Sequence, residues 1–414
     1  MHILFLSDNF PPEVNAPASR TYEHAREWVR QGANVTVLTC APNFPTGRVL
    51  PGYRNLPWQE EWMEGIRVVR LWSYITANEG FAKRVLDYMS FMASAMVAAP
   101  WVRNVDVIVG TSPQFFTALA ARASSALRRI PYVFELRDLW PESIRAVGAM
   151  QDSRVLDWLE LLELSLYRNA VGIVSVTQSF RENLMARGIP GDRIRVITNG
   201  VDLSRYQPSR KDPALTESLG LQDRFVVGYI GTHGMAHGLE TLLNAAAQMQ
   251  ERDANLEVKT PTHFLLLGDG ARKDELRKQA RDMQLRNVTF LNSVPKEEVP
   301  RYWGLLDAAI IHLKKTPLFE TVIPSKLFEC MGMGLPVLHG VAGESARIVE
   351  AEEVGLLFPP EDHVALCGQI QTLRESDELR AAFRDHALRG AQKYDRANLA
   401  HEMLDFLREC AQSH

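Results

Sequence analysis

Short runs of apolar, largely β-branched residues alternate with amphipathic stretches along the whole chain. Residues 3–6, 35–39, 66–71, 105–109, 132–135, 173–176 and 195–197 read as strands, with helices over 19–31, 81–98 and 114–128. The strand runs are apolar at successive positions rather than at every second one, as in parallel strands covered by helices on both faces. A polar stretch, 207–223, holds Pro208, Ser209, Pro213 and Gly220 and predicts a linker. The alternation then restarts, with strands at 225–230, 263–267, 288–291, 308–311, 337–339 and 355–357 and helices at 239–250 and 271–284. Two successive α/β runs predict two doubly wound, Rossmann-like parallel-sheet domains facing across a cleft. Their expected bounds are 1–206 and 207–392, with 393–414 a terminal helix packing back towards the first domain.

Composition agrees with this division. A chain of 414 residues exceeds one ordinary core, and 46% hydrophobic with 23% charged residues fits a soluble globular protein. The net charge of −4 gives no reason to expect general affinity for nucleic acid. The four cysteines, Cys40, Cys330, Cys367 and Cys410, form no Cys-x-x-Cys, which indicates neither a zinc site nor a disulfide framework and suits a reducing cytoplasm. The chain opens on a strand with no basic segment before it, so no signal peptide is expected. One helix stands apart. Residues 86–102 are apolar for much of their length, contain Asp87 and Pro100, and are flanked by Lys83, Arg84 and Arg103. That pattern fits either a buried crossover helix or a surface element that dips into one leaflet of a membrane.

Candidate chemistry concentrates in the second half. Ile323-Pro324-Ser325-Lys326-Leu327-Phe328-Glu329 reads as the start of a short helix stopped by Gly332, Gly334 and Pro336. Lys326 and Glu329, three apart, share a face. A lysine opposes the macrodipole at a helix N-terminus, but a bound anion would reverse that sign, and the glutamate is an acceptor for sugar hydroxyls. The pair describes a pocket for a nucleoside diphosphate sugar, or else a solvated pair on an ordinary amphipathic helix. Three further loops follow predicted strands, where α/β proteins bind ligands. They are the run from Gly231 to Gly238 with Thr232, His233 and His237, then Gly268-Asp269-Gly270, then Asn292-Ser293-Val294-Pro295.

The order and residue types of these loops resemble the carboxy-terminal domain of retaining GT-B glycosyltransferases of family 4. Asn199-Gly200-Val201-Asp202 and the run from Gly355 to Asp362 add to the likeness, as does Asn9-Phe10-Pro11-Pro12-Glu13 in the first half. Asp138-Leu139-Trp140-Pro141-Glu142-Ser143 resembles the branch that transfers N-acetylfucosamine-type amino sugars in bacterial surface polysaccharide synthesis. The resemblance implies a first domain that binds the acceptor and a second that binds the nucleotide sugar. It implies a metal-independent transferase with no cofactor, taking a UDP-linked sugar to a saccharide or polyprenyl-diphosphate-linked acceptor. The setting would be cytoplasmic, with possible peripheral membrane contact through residues 81–103.

Residue by residue, the resemblance places Glu329 on the donor ribose, Lys326 near the diphosphate and Val294 where backbone groups read the base. Gly231 and Gly268 lie in the donor loops. Thr232 and His237 stand where the family has an arginine and a lysine, so two full charges become a hydroxyl and an imidazole that serves as a cation only when protonated. The sugar-binding glutamate of the family falls at Thr321, with Glu320 one residue away, and either takes that role. On the acceptor side Asn15-Ala16 replaces a Gly-Gly, Asp138 is the candidate polar group near the anomeric carbon with Arg137 as its partner, and Ser112 sits in a further loop. For Asp138 a helix cap is the plainer reading.

No two aspartates are separated by a single residue, which disfavours transferases that hold a metal on the diphosphate. A GT-B-fold UDP-N-acetylhexosamine 2-epimerase is the nearest rival, and a non-catalytic nucleotide-sugar-binding subunit another. A Rossmann oxidoreductase lacks its Gly-x-Gly-x-x-Gly after the first strand. A serine hydrolase lacks the closing glycine in Gly343-Glu344-Ser345-Ala346-Arg347.

Overall fold

Leu4 and Leu6 belong to one hydrophobic cluster and their neighbours Ile3 and Phe5 to another. That split is the physical meaning of the unbroken apolar run: β1 (His2–Leu6) is covered on both faces. The computed structural model describes residues 1–13, 15–44, 46–76, 81–112, 114–139 and 154–412. Trp140, Pro141, Glu142 and Ser143 of the first-half motif lie outside the described residues, as does Pro113.

The chain forms two compact units, 1–198 with 396–414, and 199–395. The first holds β1 with β2 (Asn34–Cys40), β3 (Trp58–Met63), β4 (Ile66–Leu71), β5 (Val107–Thr111), β6 (Tyr132–Leu136), β7 (Gly172–Ser175) and β8 (Ile194–Val196), in the order β3-β4-β2-β1-β5-β6-β7-β8. All pairs are parallel except β3 with β4. The second unit holds β9 (Phe225–Ile230), β10 (Thr262–Leu267), β11 (Val288–Leu291), β12 (Ala308–His312), β13 (Val337–Gly340) and β14 (Gly355–Leu357), all parallel, in the order β11-β10-β9-β12-β13-β14. Strand order reverses beside β1 in one sheet and beside β9 in the other. Those reversals are the places where open α/β sheets form ligand crevices, at the carboxyl ends of the strands.

The crossings between units lie at 198/199 and 395/396 rather than at 206/207 and 392/393. Residues 199–206 belong to the second unit because Val201 N–H bonds the Tyr394 carbonyl at 2.9 Å and the buried Tyr206 lies against Gly332. Nor is 207–223 a free linker. Asp212 caps a short helix, Pro213–Ser218, and pairs with Arg301 at 2.7 Å, while Lys211 pairs with Asp307 at 2.7 Å. The terminal helix Arg396–Gln412 packs in the first unit, where Trp28 donates its indole N–H to the Ala400 carbonyl.

Other differences from the sequence pattern have local causes. β3 is an antiparallel edge strand whose mixed Trp-Gln-Glu pattern hides its character, because one face is in solvent. β5 runs two residues later than the apolar run suggests, with Asp106 N–H bonding the His2 carbonyl just before it. Helices Arg154–Asn169 and Gln178–Ala186 were not apparent in the pattern. The helix Phe81–Ala98 fits neither of its two readings alone. Phe91, Ala95 and Ala98 are buried, yet Leu86, Met89, Met96 and Val97 are exposed. Among the described residues no helix is long and apolar enough to cross a membrane.

Candidate functional site

At the carboxyl end of β9 the chain turns at Gly231, with φ +148°. Lys326, the first residue of the helix Lys326–Met333, occupies the space a side chain there would fill. Its Nζ donates to the Tyr229 hydroxyl at 2.9 Å and lies 4.4 Å from that ring's centroid. The Tyr229 hydroxyl in turn donates to the Thr232 carbonyl at 2.9 Å. The lysine is therefore aimed by an aromatic ring at the end of β9, with two of its three N–H donors uncommitted to that bond. Three amides of this helix's first turn are already engaged. Leu327 N–H bonds the Pro324 carbonyl, and Phe328 and Glu329 N–H bond that of Ser325, at 3.0, 3.1 and 3.3 Å. Positive charge here comes from Lys326 more than from open backbone.

One turn on, Glu329 is half-buried. Trp303 Nε1–H reaches its Oε2 at 3.4 Å, and the Tyr206 hydroxyl bonds the same carboxylate. Burial raises its pKa, while Lys326 and Lys296 pull the other way. Burial also pushes the Lys296 ammonium down and the Tyr206 hydroxyl well up, so the tyrosine stays a donor. Val294 is half-buried against the core of this unit, and its backbone N–H and C=O make no hydrogen bond among the described residues.

The loops after β10 and β11 are tied by a residue the sequence pattern did not single out. Lys273 is buried, and its Nζ reaches the carbonyls of Gly268 and Leu291 and the side chains of Asp269 and Asn292, at 2.7, 3.0, 2.7 and 2.7 Å. Asp269, held well below the usual carboxylate range by that lysine and by Ser293, accepts from Ser293 N–H and Oγ–H at 2.8 and 2.6 Å. Gly268 then lies directly on Gly231: a Cβ there would be 1.8 Å from the Gly231 oxygen.

Thr232 is exposed and His237 half-buried. Burial, followed by the charge of Lys326, lowers His237 to about 3, so its imidazole is neutral. Its carbonyl accepts from His312 Nδ1 at 2.7 Å, and His312 Nε2 accepts the Glu361 N–H at 2.9 Å, which fixes the His312 tautomer. Burial first, and Lys326 second, thus oppose a positive charge on this imidazole. His233 is wholly buried, with both ring nitrogens unpartnered among the described residues. Thr321 Oγ–H donates to the Leu318 carbonyl at 2.7 Å in the turn Phe319–Thr321, and Glu320 is exposed, its backbone lying against Gly343.

In the first unit Asn15 caps the helix Ala16–Arg30, accepting from Ala18 N–H at 2.9 Å and donating to Asn9. Ser112 Oγ accepts the N–H groups of Arg137 at 2.7 Å and Asp138 at 3.3 Å, so it shapes that loop rather than standing open. Arg137 reaches the Pro17 carbonyl at 3.4 Å, and burial lowers its guanidinium to about 10. Beneath lies a pair that no motif announced. Buried Glu135 accepts from Arg20 Nε at 2.9 Å and Thr111 Oγ at 2.6 Å, and Arg20 also holds the Thr198 and Ile197 carbonyls. Burial raises Glu135, but Arg20 and Arg137 overcome it and leave the carboxyl below its ordinary value. The structure thus gathers Asn15, Ala16, Ser112, Arg137 and Asp138 at one end of its sheet, and Gly231, Gly268, Thr232, His237, Lys326 and Glu329 in loops and a helix of the other unit.

Comparison with known proteins converges on one enzyme class. Residues 15–200 match the glycosyl transferase 4-like domain, and residues 224–376 the glycosyl transferases group 1. WcaI of Escherichia coli K12, assigned as a colanic acid biosynthesis glycosyl transferase, is 24% identical over 89% of this chain and 88% of its own. Sucrose-phosphate synthase from Thermosynechococcus elongatus superposes with a TM-score of 0.74 at 18% identity, covering 100% of each chain. HepE (Alr3699) of Anabaena, in complex with UDP-glucose, superposes with a TM-score of 0.71 at 20% identity, covering 99% of this chain and 100% of that one.

Proposed function

We infer that this chain, a glycosyltransferase of GT-B architecture built from a 4-like and a group 1 domain, moves a sugar from a UDP-linked donor to a saccharide or lipid-linked saccharide acceptor in surface polysaccharide synthesis. The observation that carries the reading is the Lys326–Glu329 pair: an ammonium aimed by Tyr229 at the end of β9, and one turn away a carboxylate held by Trp303 and Tyr206. Lys326 stabilises the departing diphosphate, where negative charge develops. Glu329 accepts from the ribose hydroxyls, and the unpartnered backbone of Val294 reads the base. The HepE complex with UDP-glucose and the colanic acid assignment of WcaI favour UDP and a polysaccharide product.

Transfer with retention follows if the acceptor attacks the face from which UDP leaves, through an oxocarbenium-like state, with the departing phosphate oxygen taking the acceptor proton. Glu320 is favoured over Thr321 for the sugar hydroxyls, because Thr321 already commits its proton to Leu318. Asp138, Arg137, Ser112, Asn15 and Ala16 make up the acceptor side, with the amino sugar donor of the motif's branch as the preferred substrate. A cytoplasmic protein touching the membrane surface fits the first unit. Trp58, Trp72, Val97 and Trp101 line one apolar groove, and Val97 and Trp101 are 71% and 73% exposed.

The reading is tested by calorimetric titration with UDP, UDP-sugars and GDP-sugars, and by a transfer assay on lipid-linked saccharide with and without EDTA. UDP-sugar binding and EDTA-resistant transfer with retained anomeric configuration are expected. Conversion of the donor without acceptor would favour an epimerase and overturn it. Flotation with anionic vesicles should carry the protein up, and Trp101→Glu should leave it behind.

A further inference from the structure

A small cavity of ≈ 80 Å³ opens in the first unit, lined from the carboxyl ends of β1 and β2 and from the helix Phe81–Ala98. Three carboxylates face it, Asp8, Glu13 and Asp87, with Tyr88, Phe91 and Gln114 beside them. Among the described residues none of the three forms an ion pair; Arg70 acts on Glu13 only at longer range, its own donors going to Glu61, Pro11 and Cys40. Glu13 is only 4% exposed. Its Oε1 accepts the N–H groups of Asn43 and Phe44 at 2.7 and 2.9 Å, while Oε2 is buried and has no hydrogen-bond partner among the described residues. A buried carboxylate oxygen left without a partner is costly, so Glu13 is a strained acid at the edge of this cavity rather than a neutralised one.

We propose that this cavity receives a protonated primary amine carried by a saccharide. Its volume holds several waters or one functional group with its carbon, not a whole nucleotide sugar. Three acidic groups with no ion pair among the described residues, Arg70 and Arg137 acting on Glu13 and Asp8 only at longer range, call for a positive charge, and Tyr88 and Phe91 stand in the same wall. A metal ion is a poor fit, because no group of three or more His, Cys, Asp or Glu among the described residues is placed to hold one. Burial raises Asp8 to about 7 and Asp87 to about 6, the Glu13 and Asp87 charges adding to the first, so a cation placed among them would favour the charged carboxylates. The inference rests on the transferase reading only in making the amine's carrier the acceptor; binding itself needs no turnover.

The test is calorimetric titration of the full chain with glucosamine, N-acetylglucosamine and glucose at pH 7, with UDP titrated in parallel. Glucosamine is expected to bind at least about tenfold more tightly than the two uncharged sugars. Asp87→Asn and Asp8→Asn should each remove most of that preference, while their melting temperatures hold or rise because repulsion among the carboxylates is relieved. Equal affinity for the three sugars, or a preference that survives in both variants, would overturn the proposal. UDP binding without amine preference sinks this inference alone, and amine preference without UDP binding sinks the donor reading alone.

Discussion

A Cβ added to Gly231 would lie 2.1 Å from Cε and 2.3 Å from Nζ of Lys326. The glycine after β9 and the lysine that opens a helix 95 positions later therefore share one volume, and the backbone φ of +148° is itself one that side chains rarely adopt. Gly231→Ala must move the ammonium off Tyr229 or shift the loop. Donor affinity should fall at least about tenfold, with a stability loss of about 1–3 kcal/mol from the strained backbone. Calorimetry with a UDP-sugar measures the first and urea unfolding the second. Unchanged affinity would remove Lys326 from the diphosphate.

Glu329→Gln separates charge from shape. The amide keeps the contacts of Trp303 and Tyr206 but loses charge-assisted bonds to the ribose, each worth about 1.5–3 kcal/mol. Because burial raises the carboxyl's pKa, removing the charge should not destabilise the fold. UDP affinity is expected to drop about 10–100-fold at unchanged melting temperature. A variant that binds UDP normally contradicts the ribose role.

Every strand but the antiparallel edge strand β3 was legible, because parallel strands buried on two faces leave an unmistakable apolar run, as in Phe225–Ile230. Lys326 and Glu329 were legible because their spacing on one helix is local. What escaped was non-local. Nothing near Lys273 in sequence announces that Leu291 and Asn292 will complete its cage, and Glu135 reads as a strand residue until Arg20 folds over it. Tyr206 and Trp303 lie far from Glu329 in the chain and meet it only in the fold. Residue type alone does not decide the charge of His237. Its position suggests a substitute cation, but its charge depends on surroundings that sequence does not display.

The charge on the donor diphosphate should therefore come from Lys326. His237, lowered to about 3 by burial and by that same lysine, would need its pKa raised by about four units to be cationic at neutral pH. Affinity for a UDP-sugar should change less than about threefold between pH 6.5 and 8.5. Lys326→Ala should cost at least about tenfold at every pH, and His237→Ala much less. Binding that weakens steadily as pH rises through 7–8, and that His237→Lys flattens, would restore the histidine as the working cation.

Lys273→Met keeps the aliphatic stem and removes the ammonium. The carbonyls of Gly268 and Leu291 then lose a donor in a buried setting, and the tie between the β10 and β11 loops is cut. Unfolding free energy should drop by about 2–4 kcal/mol. Urea denaturation checks this as a lower midpoint with an unchanged slope. A loss confined to UDP binding, with stability intact, would make Lys273 a ligand group instead of a structural one.

His339 supplies a separate test of how this unit responds to acid. It is fully buried on β13, both ring nitrogens lack partners among the described residues, and burial lowers it to about 3. The unfolded chain, with a histidine near 6.5, binds a proton that the folded one refuses. Stability from this group is complete above pH 6.5 and is lost as pH falls towards 3. At pH 5.5 the loss is about 1.4 kcal/mol, one pKa unit's worth. His339→Leu removes the titrating group while filling similar space, so it should stabilise by about 1.4 kcal/mol more at pH 5.5 than at pH 8. Denaturant midpoints of wild type and variant at the two pH values measure that difference. Equal shifts at both would show that the ring is protonated, or reachable by water, in the folded protein.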